Sequence, residues 1–335
     1  MTRRILALLL VILMSLTLFG CKQETEERSA KPVETEPKIT EADPWEKTEP
    51  GSATPLLYRV SDEQGNVIWL FGSIHVGKEE YFALPDYVMD AYHSSDALAV
   101  EADIVAFEKD MTAQVQALQK MMYTDGTDIS DHISEELYDR AVTIMENAGM
   151  YYAALDYYKP VIWWSFLQSL MMMETPDVQI ELGIDRYFLN LAKEDGTEIL
   201  EVESAEFQYD LMANFSEELQ VFLLEDTIEI CENQALAHAS ILVLMNLWAG
   251  GNEDTLAAYL SAEMVAEGED EELLLEEYNN AMIVSRNQSM TEYAENALAS
   301  GKEVFICVGA AHVVGQGAMV ENLRQLGYTV ELING

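Results

Sequence analysis

Apolar residues along this chain fall into short unbroken runs and longer runs spaced at three and four. Val67-Ile68-Trp69-Leu70-Phe71, Ala97-Leu98-Ala99-Val100 and Val304-Phe305-Ile306-Cys307-Val308 belong to the first kind. Near-continuous apolar runs of this length predict strands buried on both faces. Leu56 to Val60 precedes the first of them, and the Gln64-Gly65-Asn66 turn between the two predicts a β-hairpin. Thr197 to Val202 and Tyr328 to Ile333 read as two further strands.

Helical spacing fills the rest. Pro85 suits the first turn of a helix reaching Tyr92. From Ile104 to about Glu181 the chain reads as a large helical insertion, broken from Thr124 to Ser130. Its Val161 to Leu167 stretch, with Trp163-Trp164, and its Met171 to Met173 triplet read as core between helices. An apolar binding groove is the alternative. Ile184, Tyr187, Phe188 and Leu191 share one face of a helix ended by Gly196. Glu206 to Asn214, Ser216 to about Gly250 and Tyr278 to Ser300 predict three more helices. The acidic run from Glu263 to Glu277 does not have calcium-loop spacing and reads as a solvated helix face. The order is therefore strand-helix-strand, helical insertion, strand-helix-strand. It predicts an α/β fold whose mixed central sheet is assembled from two βαβ-like halves.

Chemistry-bearing residues stand where these strands end. Val67 to Phe71 runs into Gly72-Ser73-Ile74-His75, and Val304 to Val308 into Gly309-Ala310-Ala311-His312. The third strand ends on Glu101, and the Thr197 to Val202 strand on Glu203. In open α/β sheets ligands bind beyond the carboxyl ends of the strands, so these four side chains are expected to converge. Gly72 and Gly309 serve tight turns and close backbone approach.

The first residues are of a different kind. Met1-Thr2-Arg3-Arg4, an apolar run from Ile5 to Phe19 and then Gly20-Cys21 make a secretory leader over residues 1–20. Cys21 directly after Gly20 is similar to a lipoprotein lipidation site, which would anchor the protein to the bacterial cell membrane, outside the cytoplasm. Residues 21–55 are rich in Glu, Lys, Thr and Pro and predict a disordered tether. Residues 56–335 then form one domain. The formal charge of −42 excludes nucleic-acid binding through phosphate neutralisation. It also leaves membrane attachment to the lipid rather than to basic residues. Cys231 and Cys307 read as small buried thiols, and no Cys-x-x-Cys pair suggests a zinc finger.

With both Gly-x-x-His units in place, residues 56 to 335 resemble the TraB/GumN (TraB/PrgY/GumN, Tiki-like) family. The resemblance rests on Gly72 to His75, Glu101, Glu181-Leu182-Gly183-Ile184-Asp185 and Val202-Glu203 with Gln208. It continues through Trp248-Ala249-Gly250-Gly251, Ser285-Arg286-Asn287 and Gly309 to Gly315. Asn252 stands where relatives usually carry Asp after the glycine. The resemblance implies a core like that of the erythromycin-esterase and ChaN-like proteins. It also implies a metal-dependent hydrolase, a peptidase by analogy with the Tiki relatives, acting on a peptide or protein substrate.

Two imidazoles and one or two carboxylates suit Mn²⁺, Co²⁺ or Zn²⁺ with a position left for water. His75 and His312 are the candidate ligands. Glu101 is the third ligand or the general base, and Glu203 takes the other role. Arg286 is a candidate for stabilising an oxyanion, or else pairs with Asp185 or Glu203. Asp185 is a candidate partner orienting an imidazole. His93, His132 and His238 have no such context. The rival class is a non-catalytic surface protein that sequesters a peptide or haem.

Overall fold

The computed structural model describes residues 53–260, 266 and 268–333. The segment read as a leader, Cys21, most of the segment read as a tether and part of the acidic run lie outside the described residues. Ala53, Thr54 and Pro55, which composition groups with the tether, are packed: Ala53 is buried, and the Thr54 N–H donates to the Ala249 carbonyl at 2.8 Å.

Six strands form one mixed sheet: β1 (Leu57–Ser61), β2 (Val67–Ser73), β3 (Ala97–Val100), β4 (Glu198–Glu201), β5 (Val304–Gly309) and β6 (Thr329–Ile333). Their spatial order is β4-β3-β5-β2-β1-β6. The hairpin forms as its turn residues require, with Tyr58 opposite Leu70 in antiparallel register. β5 pairs in parallel with both β2 and β3. This is an α/β sheet with a large helical part. The two halves interleave in it: the strand near the end of the chain lies between two strands from its start. Val304 to Val308 are each buried because that strand has a neighbour on both edges and helices on both faces.

That order places the candidate residues in a row. β4, β3, β5 and β2 all run in one direction, and β2 and β5 are registered with Ser73 opposite Gly309. Beyond their carboxyl ends stand, in spatial order, Glu203, Glu101, His312 and His75.

Helices complete two apolar cores, one around the sheet and one inside the helical part. Helix Pro160–Glu174 is buried on every face from Pro160 to Met172, as a core helix is. Trp163 and Trp164 are 0 % exposed, and the Trp163 indole donates to the Leu155 carbonyl at 3.0 Å. The segment is core, so the alternative of an apolar groove along it does not hold; of the three methionines only Met173 is exposed. Among the described residues no helix is long and apolar enough to cross a membrane.

Two helices differ from the reading of the sequence. The run from Ser216 to Gly250 is two helices, Glu217–Cys231 and Gln234–Gly250. The break comes at Asn233, whose side chain accepts the Leu236 N–H and caps the second helix. The run before Ser300 opens with helix Glu269–Asn279 and a π turn, Asn280–Val284, before helix Ser285–Ser300. Such turns are frequent at functional sites, and this one ends two residues before Arg286. Cys231 and Cys307 are both free.

Candidate active site at the strand ends

Glu101 follows β3 and is held from two sides. The Gly309 N–H donates to its Oε1 at 2.6 Å, and Arg286 Nη2 donates to its Oε2 at 2.6 Å. Glu203 sits beside it because β4 pairs with β3: the Glu203 N–H donates to the Glu101 carbonyl at 2.9 Å. Arg286 Nε donates to both Glu203 oxygens, at 3.0 and 3.1 Å, and Nη2 donates to Oε2 at 2.8 Å. The Gln208 amide bridges the two carboxylates, donating to Glu101 Oε2 at 3.3 Å and Glu203 Oε2 at 3.2 Å.

The guanidinium is 3 % exposed and the Glu203 side chain 5 %, so the charges are mutually neutralised out of water. One cation between two carboxylates answers the desolvation cost that either acid alone would face. Burial alone would push the Glu101 carboxyl up. The fields of Arg286, His312 and His75, with the Gly309 N–H, outweigh it and hold the carboxyl well below the usual range. Arg286 pairs with Glu203 and Glu101, and not with Asp185.

The imidazoles approach the same place. A Cβ built on Gly309 would lie 3.0 Å from Glu101 Oε1, 3.7 Å from His312 Cδ2 and 3.8 Å from His75 Nε2. Glycine there leaves open the space that three functional groups surround. At Gly72 a Cβ would meet the Ala310 Cα at 3.2 Å, so one Gly-x-x-His turn packs directly on the other. The Trp248 indole donates to the Gly72 carbonyl at 2.7 Å and fixes that turn from behind.

His75 Nδ1 lies 3.2 Å from Asp185 Oδ2. Asp185 reaches it because helix Ile184–Asp195 docks end-on against the β2 turn: the Ile184 N–H donates to the Ile74 carbonyl at 2.9 Å. Gly183 permits that approach, since a Cβ there would stand 2.7 Å from the His75 carbonyl oxygen. Burial lowers the His75 pKa, but the Asp185 charge and hydrogen bond and the Glu101 field outweigh it, raising it to about 9. His312 is 3 % exposed, and its Nδ1 lies 2.7 Å from Asn287 Oδ1. Burial first, then the neighbouring Arg286 charge, pushes its pKa down to about 3.

The site thus gathers His75, His312, Glu101, Glu203, Arg286, Asp185, Gly72 and Gly309; Cys21 lies outside the described residues. Gln208 and Asn287 join them, although the chemistry of strand ends does not single them out. Neither carries charge, and each acts by holding another side chain. Their sequence signal is membership of the motifs that carry the family resemblance, five residues after Glu203 and next to Arg286. The remaining histidines lie elsewhere: His132 stacks on the Tyr123 ring at 4.1 Å and contacts Glu217 at 2.8 Å.

Four carboxyl-end residues in a row on an interleaved sheet, with a buried arginine between two of them, define a strand-end acid and imidazole site. The sequence profile of the TraB/PrgY/gumN family matches residues 56–332, and the chain belongs to that family. It is similar to the uncharacterized protein YbaP of Escherichia coli (strain K12), 25 % identical over 258 residues that span 76 % of this chain and 87 % of that protein. The YbaP protein of Shigella flexneri matches to the same extent. No solved structure matches the chain.

Proposed function

We propose that this protein is a metal-dependent hydrolase cleaving a peptide or protein outside the cytoplasmic membrane. The observation that carries the reading is the disposition of the two imidazoles. Each has Nδ1 engaged by a side-chain oxygen, from Asp185 or Asn287, which leaves Nε2 for the space shared with Glu101; at His75 a metal ion would displace the Nε2 proton. That arrangement is characteristic of ligating histidines. Among the described residues no three His, Cys, Asp or Glu side chains already form a metal cage; the fit rests on the chemistry of the donors.

His75, His312 and Glu101 would hold the ion. Mn²⁺, Co²⁺ or Zn²⁺ would supply Lewis acidity and a bound water acidic enough to attack at neutral pH. Glu101, kept ionised by Arg286, suits ligation better than proton uptake. Arg286 has Nε and Nη2 committed to carboxylates, so its part is to position Glu101 and Glu203 rather than to meet a substrate oxyanion. The family resemblance supports a peptide as substrate, and the leader supports lipid anchoring through Cys21. With the groove reading of the Trp163-Trp164 segment removed, no observation favours the sequestering alternative.

The test is elemental analysis of the purified protein coupled to an unbiased peptide-cleavage profile with and without chelator. Stoichiometric metal, chelator-sensitive cleavage, and loss of both in His75→Ala and His312→Ala with folding intact are expected. Full metal retention in both variants would falsify the assignment. Radiolabelled palmitate incorporation, abolished in Cys21→Ala, checks the anchor.

A further inference from the structure

We infer that Asn287 is a positioning residue: its buried amide fixes His312 as the Nδ1–H tautomer and so aims the Nε2 lone pair at the space shared with His75 and Glu101. A main-chain carbonyl fixes the orientation of the amide. The Gly317 oxygen can only accept, and the Asn287 Nδ2 donates to it at 3.0 Å. The Asn322 Nδ2 donates to the same oxygen at 3.0 Å. The amide of Asn287 therefore has its nitrogen end at Gly317 and its oxygen end 2.7 Å from His312 Nδ1. An amide oxygen can only accept, so the hydrogen in that contact belongs to Nδ1. A neutral imidazole carries one hydrogen, and its Nε2 is then the acceptor.

The opposite amide orientation would set two oxygens, Oδ1 and the Gly317 carbonyl, against each other. It would also take the Asn287 N–H donor away from the Gly317 carbonyl. Water cannot substitute, because Asn287 is 1 % and His312 3 % exposed. The backbone of Asn287 is held as well: it lies in helix Ser285–Ser300, and Thr291 Oγ1 donates to its carbonyl at 2.6 Å.

An amide does for His312 what the Asp185 carboxylate does for His75, without adding a fourth carboxylate to Glu101, Glu203 and Asp185. The metal-binding consequence rests on the proposed function; the tautomer does not.

The two are separable by experiment. The full chain, labelled with ¹⁵N-histidine and treated with chelator, is examined by long-range ¹H–¹⁵N correlation. His312, assigned from the spectrum of His312→Gln, is expected as the Nδ1–H tautomer. In Asn287→Ala the ring is expected to move towards the Nε2–H form, and Zn²⁺ affinity, measured by calorimetry, to fall about 10–100-fold. Asn287→Asp keeps an acceptor facing Nδ1 but loses the donor to the Gly317 carbonyl, so it is expected to hold the Nδ1–H form at a cost in stability. A wild-type Nε2–H ring overturns the inference, as does an Asn287→Ala protein that keeps both tautomer and affinity. Should Asn287→Ala fail to fold, the wild-type tautomer and Asn287→Asp decide. A wild-type Nδ1–H ring in a protein binding no Zn²⁺, Mn²⁺ or Co²⁺ supports the role of Asn287 while sinking the metal reading.

Discussion

Arg286 Nη2 lies 2.6 Å from Glu101 Oε2 and 2.8 Å from Glu203 Oε2, so a single buried cation clamps the carboxyl ends of β3 and β4 to helix Ser285–Ser300. Everything else at the site is placed relative to that clamp. Glu101 in turn takes the Gly309 N–H, which locates the turn carrying His312.

Arg286→Met should therefore cost about 3–5 kcal/mol of stability, because it leaves two carboxylates buried without their cation. Urea unfolding followed by circular dichroism measures it. Adding Glu203→Leu to that variant should recover part of the loss. A penalty below about 1 kcal/mol would mean that the carboxylates are solvated and the clamp is not what orders the site.

Stability should be greatest near neutral pH and fall on both sides. The unfolded histidine value is 6.5, and His312 is depressed to about 3 in the fold. Its contribution is complete above 6.5 and is lost as pH falls from 6.5 towards 3. Glu101, depressed below its ordinary 4.5, adds to the loss as pH drops past that value. His75 has the opposite sign: raised to about 9, it contributes fully below 6.5 and loses that contribution as pH climbs from 6.5 to 9. Melting temperatures of chelator-treated protein from pH 3 to pH 9 test both arms. The acid arm should flatten in His312→Gln and the alkaline arm in Asp185→Asn; unchanged profiles would remove these groups as the cause.

Gly183→Ala should impair the site from a distance. The added Cβ meets the backbone carbonyl oxygen of His75 at 2.7 Å, so the helix bearing Asp185 must retreat. A stability loss of about 1–3 kcal/mol is expected. Metal content should drop with it, whereas Gly65→Ala at the hairpin turn should leave the metal untouched. Equal metal retention in both would separate Gly183 from the geometry of His75.

Trp164→Ala should cost about 3–5 kcal/mol through the cavity it leaves inside the helical core. Its metal content and peptide profile should stay as in the wild type at temperatures where it is folded. A changed cleavage preference with unchanged stability would return this segment to the role of a binding groove.

Much of the architecture can be read from residues alone. The apolar runs at Val67, Ala97 and Val304 are dense enough to specify buried strands, and the Gln64-Gly65-Asn66 turn specifies a hairpin. Local patterns of this kind depend only on neighbouring residues. The break at Asn233 was less legible, since an amide cap inside a continuous apolar run competes with helical periodicity. The π turn before Arg286 leaves no compositional trace.

The chain by itself determined that two Gly-x-x-His turns and two acidic residues end four strands, because strand content and turn chemistry are local. Tertiary structure decided which strands are neighbours. β5, from the end of the sequence, lies between β2 and β3, and that order puts Glu203, Glu101, His312 and His75 side by side. It also decided the partners. Arg286 chose Glu203 and Glu101 over Asp185, and Asp185 took His75, because desolvated charges pair with whatever counter-charge the packing brings within reach. Gln208 and Asn287 are marked in sequence by the family resemblance alone, and their roles were not, because an amide signals no chemistry until the fold shows what it holds.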